Sequence, residues 1–227
     1  MLFKKCIFLL LQIVMVIILG KNLGIITSVN NHFFAIIFFI SYIAVYILMI
    51  WIFNRITFYI SGIKLRFDRL HKKDVILIAE TYLVQIFGSI VVNTLGVFFV
   101  GHLQETNQDN IRNFFSNLSP SLLVMAIILT VFVAPVLEEM VFRGYIMNVF
   151  FKNNSYYSIF FSSFLFAYLH MHSIFLTANN FFVFLAYLIL GSSLGFVYYK
   201  SKNMSVNIGL HMLINAVATF VLLVSMH

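Results

Sequence analysis

The chain has 227 residues, of which 62% are hydrophobic and only 9% charged, and its formal net charge is +7. Soluble domains are about 25% charged, so this composition excludes a soluble globular domain and a disordered chain, and a single cysteine excludes a disulfide scaffold. What remains is an all-α, polytopic membrane bundle whose apolar runs amount to seven or eight transmembrane segments.

The first apolar run, Cys6–Leu19, follows Lys4 and Lys5. No small-residue cleavage site follows it; the next residues are Gly20, Lys21 and Asn22. It reads as a retained first span rather than a cleaved signal. Cys6 is expected to be a small buried hydrophobe. The next runs are Phe33–Phe53 and Val75–Val100. Between them, Asn54–Asp74 carries Arg55, Lys64, Arg66, Arg69, Lys72 and Lys73 against Asp68 and Asp74. The following connection, His102–Pro120, carries only Arg112 against Glu105 and Asp109. Basic loops stay inside. The N-terminus and Asn54–Asp74 are therefore expected in the cytoplasm and His102–Pro120 outside. Lys152, Lys200 and Lys202 join the cytoplasmic side of a seven-span arrangement. The positive charge is thus an orientation signal towards the lipid bilayer, and nucleic acid is not an expected partner.

Ser121–Phe151 is too long for one ordinary span and contains Pro135. Proline removes an intrahelical hydrogen bond. Ser121–Leu137 is therefore read as a span, with a kink or break at Pro135 and the option of a separate eighth segment after it. Tyr156–His170, Phe181–Tyr199 and Ser205–Val224 complete the set. No repeat or linker divides the chain. Residues 1–120 supply transmembrane segments without an assignable role, and residues 121–227 form the part that carries chemistry.

Ionisable groups in a bilayer cost at least about 2.5–3.5 kcal/mol each on insertion scales and need a reason. Glu80, Glu138, Glu139, Arg143, His170, His172 and His211 qualify, with Asn93, Asn148 and Asn215 as notable amides. Residues four apart share a helix face, so Glu139 and Arg143 are expected to pair. Glu138 is rotated by about 100° and stays outside that pair. A carboxylate without a cationic partner in a low-dielectric place suits a general base; the bland alternative is a solvated helix end. His170 closes Phe166-Ala167-Tyr168-Leu169-His170, with His172 as its competitor. His211 and Asn215 project from one face of the last span. The bland reading of these is interfacial hydrogen bonding between helices. Together they offer a base, two imidazoles and an amide donor, the equipment of a hydrolase that uses an activated water. No H-E-x-x-H or G-x-S-x-G is present.

E-E-x-x-x-R at Glu138–Arg143, F-x-x-x-H at Phe166–His170 and H-x-x-x-N at His211–Asn215 follow one another on successive apolar segments. This ordered triplet resembles the CPBP family, which comprises the CAAX prenyl endoproteases and the bacteriocin-processing and self-immunity proteins, also called the Abi family. The resemblance implies catalytic roles for Glu138, His170, His211 and Asn215: activating glutamate, two water-holding histidines and oxyanion-stabilising amide. It implies structural support from Glu139, Arg143 and Phe166. The family's metalloprotease description would instead make Glu138, His170 and His211 ligands of a divalent metal, zinc; the reading preferred here holds water directly on protein groups. The implied function is intramembrane endopeptidase, acting on a peptide or membrane-protein substrate in a bacterial cell membrane. Leader processing for a bacteriocin or peptide toxin fits the family, and the alternative is non-proteolytic self-immunity. A transporter would spread its charges along several spans, whereas here they concentrate in the C-terminal half. A simple seven-span count creates a conflict: it puts Glu138 near the cytoplasmic face and His170 near the other.

Overall fold

The computed structural model describes residues 2–27, 32–103, 106–151, 155–171 and 177–226. His172, Glu105 and Lys152 lie outside the described residues. The described residues form helices and no strand: α1 (Leu2–Thr27), α2 (His32–Ser61), α3 (Lys72–Val100), α4 (Thr106–Ser116), α5 (Pro120–Val149), α6 (Ser155–His170), α7 (Ala178–Ser201) and α8 (Met204–Val224). The all-α polytopic bundle is thus the architecture. Six of these helices, all but α4 and α6, are long and apolar enough to cross a membrane. α6 has 16 residues and rises about 24 Å, less than the ~30 Å of a hydrocarbon core. It is the segment that the sequence count took as a full span.

The outer helices are apolar on nearly every side, which marks helices that face lipid as well as protein. On α1, α2 and α3, Leu10, Phe34, Ile47, Leu83 and Phe98 are exposed. Cys6 is also exposed on α1, not buried as its apolar run suggested, because its side chain falls on the outer face. Glu80 lies on an exposed position of α3, away from the clustered charges.

Several contacts gather the basic segments at one end of the bundle. Lys5 Nζ donates to the Val149 carbonyl at 2.9 Å, and Tyr145 Oη donates to the Lys5 carbonyl at 2.9 Å. The connection from α2 to α3 meets the turn between α7 and α8. There Met204 N donates to Arg66 O at 2.8 Å, and Asn203 Nδ2 to Asp68 O at 3.1 Å. That turn is tight: Lys202 adopts φ 51°, and the Asn203 side chain caps α8 by accepting from Ser205 N.

α5 does not break at Pro135. It runs from Pro120 to Val149 with two widened turns, Leu129–Val133 and Met140–Ile146, in which the helix becomes π. The first absorbs the proline. Ala134 N–H reaches back to Leu129 O, the i→i+5 pattern of a π turn. In that register the Thr130 carbonyl would next meet position 135, where proline has no N–H to offer.

Because α5 continues to Val149, Glu138 lies roughly 16 Å inside the bundle from the basic end. α6 starts beside that end and returns antiparallel for roughly 22 Å before reaching His170. The two motifs therefore lie within about one helical turn of each other in depth, close enough for Glu138 Oε2 and His170 Nε2 to stand 3.6 Å apart, which removes the conflict in the seven-span count.

Candidate active site

Glu139 and Arg143 are both fully buried, and Arg143 Nη1 donates to Glu139 Oε1 at 2.8 Å. The spacing of the motif thus forms the pair that it suggests. A buried carboxylate needs further donors, and two come from α8. Asn207 Nδ2 donates to Glu139 Oε2, and His211 Nδ1 lies 2.7 Å from Glu139 Oε1. Arg143 is held in turn by the Gly191 carbonyl on α7 at 2.8 Å. Its guanidinium lies 5.0 Å from the centre of the Phe166 ring. One ion pair therefore ties α5 to α6, α7 and α8.

Glu138 points elsewhere, as the rotation between adjacent helical residues requires. Its Oε2 lies 3.6 Å from His170 Nε2 and 3.8 Å from His211 Nε2. The other ring nitrogen of each histidine has its own acceptor. His170 Nδ1 is 2.8 Å from the Phe166 carbonyl, one turn back on α6. A carbonyl can only accept, so Nδ1 carries the proton there. The Glu139 carboxylate sets His211 in the same way. The Nε2 atoms of both imidazoles then face Glu138. Phe166 packs between them, stacked on His170 with centroids 4.0 Å apart and edge-on to His211 at 5.9 Å.

Asn215, one turn beyond His211, donates from Nδ2 to the Thr130 carbonyl at 3.1 Å. This is the carbonyl left over by the π turn before Pro135. The side-chain amide of α8 thereby fills a backbone vacancy created by proline on α5. The second Nδ2 hydrogen remains available for another acceptor.

Glu138, His170, His211 and Asn215 all line one cavity of about 720 Å³. α1 supplies apolar wall at Ile13, Val16 and Ile17, and α4 supplies Asn107, Gln108 and Asn110. The N-terminal segments, which carried no readable motif, therefore complete the chamber. Tyr187 of α7 also lines it, with its ring 5.3 Å from that of His170 and its hydroxyl accepting from Asn107 Nδ2 at 3.1 Å.

Reading the sequence missed Asn207, Tyr187 and the carbonyls of Thr130 and Gly191. Asn207 was within reach, since it sits four residues before His211 and so on the same face. Tyr187 is one of 11 tyrosines and carries no local signal. Backbone carbonyls freed by a π turn have no signature beyond Pro135 itself.

Zinc held by three protein ligands requires donors about 2.0–2.2 Å from the ion. Among the described residues, no group of three or more His, Cys, Asp or Glu side chains is arranged to hold a metal. The separations at Glu138 leave room for a single small species shared between the carboxylate and the two imidazoles.

Residues 120–217 match the family model described as Rce1-like, Type II CAAX prenyl endopeptidase Rce1-like. Comparison with curated proteins and with solved structures yields no match. The matched segment begins with α5 and ends inside α8, so it contains all three motifs. The match agrees with the resemblance to the CAAX-protease family that the three motifs carry: residues 120–217 are similar to an Rce1-like endopeptidase domain.

Proposed function

We propose that this Rce1-like domain hydrolyses a peptide bond of a membrane-associated or leader-peptide substrate, using a water activated by Glu138. The observation that supports this most directly is the placement of one Glu138 oxygen opposite two imidazole Nε2 atoms at a cavity wall. Water held among these groups would give a proton to Glu138 while its oxygen attacks the substrate carbonyl carbon. The carbonyl π pair moves onto oxygen, and the free Asn215 N–H is the donor suited to that oxyanion. Collapse of the tetrahedral intermediate breaks the C–N bond, and the leaving nitrogen takes the proton from Glu138. The products are a carboxylic acid and an amine. No metal takes part in this scheme.

The biological setting proposed is a bacterial cell membrane, with leader or toxin processing as the task. Glu138→Gln keeps shape and hydrogen-bonding capacity but cannot accept the proton. Substrate processing should fall at least ~10²-fold, the usual scale for general base catalysis. The variant's abundance in the membrane should stay near wild type, since an amide is cheaper to insert than a carboxylate. Processing at the wild-type rate by a well-expressed Glu138→Gln protein would sink the reading. Full self-protection of a producer strain by that variant would point to immunity without proteolysis.

A further inference from the structure

We infer that the cavity receives its substrate from the end of the bundle opposite the basic residues, so that the substrate class is a peptide segment presented at the extracytoplasmic face. This rests on the proposed function for the word substrate, but the direction of access stands on the geometry of the cavity and the positions of the basic residues. Towards the basic end the cavity reaches only Val141 and Phe142, one turn past Glu138 on α5, whereas in the other direction it continues along α5 past Ala134 to Thr130 and along α8 past Asn215 to Ala218 and Leu222. Both sets lie away from Val149 and Met204, the helix ends bonded to the basic segments. Towards the basic end the interior is closed. Met140, Arg143, Ile146, Met204, Asn207 and Leu210 are at most 0% exposed.

The open direction leads to α4. Its sequence puts Ile111, Phe114 and Phe115 on one side, where they pack with Leu123, Ala126 and Leu222 at the ends of α5 and α8. Asp109, Arg112, Asn113 and Ser116 are exposed on the other. A short helix with such a division lies along an interface. Asn107, Gln108 and Asn110 of its first turns face the cavity. Amides that both donate and accept suit a peptide backbone better than a purely apolar ligand. Since basic loops mark the cytoplasmic side, α4 and the mouth of the cavity belong to the other side.

The test uses the full chain with Cys6→Ala, which removes the only thiol. Single cysteines are then placed in the cavity at Ala218, with Val16 as a second position, and at Lys64 on the basic end. A charged, membrane-impermeant methanethiosulfonate is applied to intact cells and to inverted vesicles. Ala218→Cys and Val16→Cys should be modified in intact cells, and Lys64→Cys only in inverted vesicles. Modification of the cavity cysteines only in inverted vesicles, or from neither side, would overturn the inference. So would modification of Lys64→Cys in intact cells. Adding Glu138→Gln should leave every labelling pattern unchanged. A failed catalytic reading therefore shows in the processing assay alone, and a wrong access direction shows in the labelling alone.

Discussion

Glu138 and Glu139 are adjacent and chemically identical, yet the structure gives them opposite surroundings. Glu139 is fully buried and meets Arg143, His211 and Asn207, whereas the Glu138 side chain is 19% exposed at a cavity wall. Substitution at each should therefore fail differently. Glu139→Gln leaves Arg143 without its counter-charge, and breaking a buried pair in this way costs about 3–5 kcal/mol. The folded fraction in detergent, measured by size-exclusion recovery or thermal unfolding, should drop together with activity. A Glu139→Gln protein as stable as wild type would show that the Gly191 carbonyl and the Phe166 ring hold Arg143 without the carboxylate. The assignment of the pair itself was legible in the sequence, because four-residue spacing on a helix is a local property. The role of His211 as a bridge between the two carboxylates was not, since it depends on where α8 docks.

At the scale of elements, the position of His170 depends on how closely α6 can lie against α7. A Cβ on Gly191 would stand 3.1 Å from Ser163 Cα and 3.3 Å from Ser163 O. Backbone cannot swing aside as a side-chain tip can. Gly191→Ala should therefore push α6 outward and disturb the carbonyl that holds Arg143. Overpacking of this kind costs about 1–3 kcal/mol. A lower midpoint of thermal unfolding and reduced processing are expected together. Gly209→Ala serves as the control, because its nearest neighbour is the tip of Ile78 at 3.5 Å, an ordinary contact. Equal effects from both substitutions would refute this packing argument. Pro135 acts at the same scale, since the sequence signals a disturbance of α5 but not its form. A break and a π turn are both ways to accommodate the missing N–H, and packing on both sides of α5 favours the one that keeps the helix continuous.

For the whole molecule, the decisive feature is that the basic connections meet at one end. The contacts of Lys5 with Val149 and of Asp68 with Asn203 join segments far apart in sequence. We propose that this end is cytoplasmic, on the positive-inside rule. Reporter fusions or cysteine labelling at Lys64 and Ser116 should then report opposite sides of the membrane, with Lys64 inside. The same side for both, or Ser116 inside, would overturn the orientation. Orientation and catalysis are separable here, because the convergence of Glu138, His170 and His211 is fixed by helix packing whichever way the bundle is inserted.

The sequence by itself determined the class of the molecule and the chemistry available to it. Composition forces a helical membrane bundle, because unpaired backbone polar groups are too costly in lipid. Motif spacing of three and four residues determines which polar side chains share a helix face, and so identifies Glu139 with Arg143 and His211 with Asn215. Tertiary structure alone decided depth and company. A run of apolar residues does not show where a span ends, so the continuation of α5 to Val149 and the shortness of α6 were hidden in the run that places Glu138 and His170 apart. The contributions of α1, α4, Tyr187 and the Thr130 carbonyl were hidden for a related reason. Each acts through a contact between segments distant in the chain, and such contacts leave no periodic trace in the residues that make them.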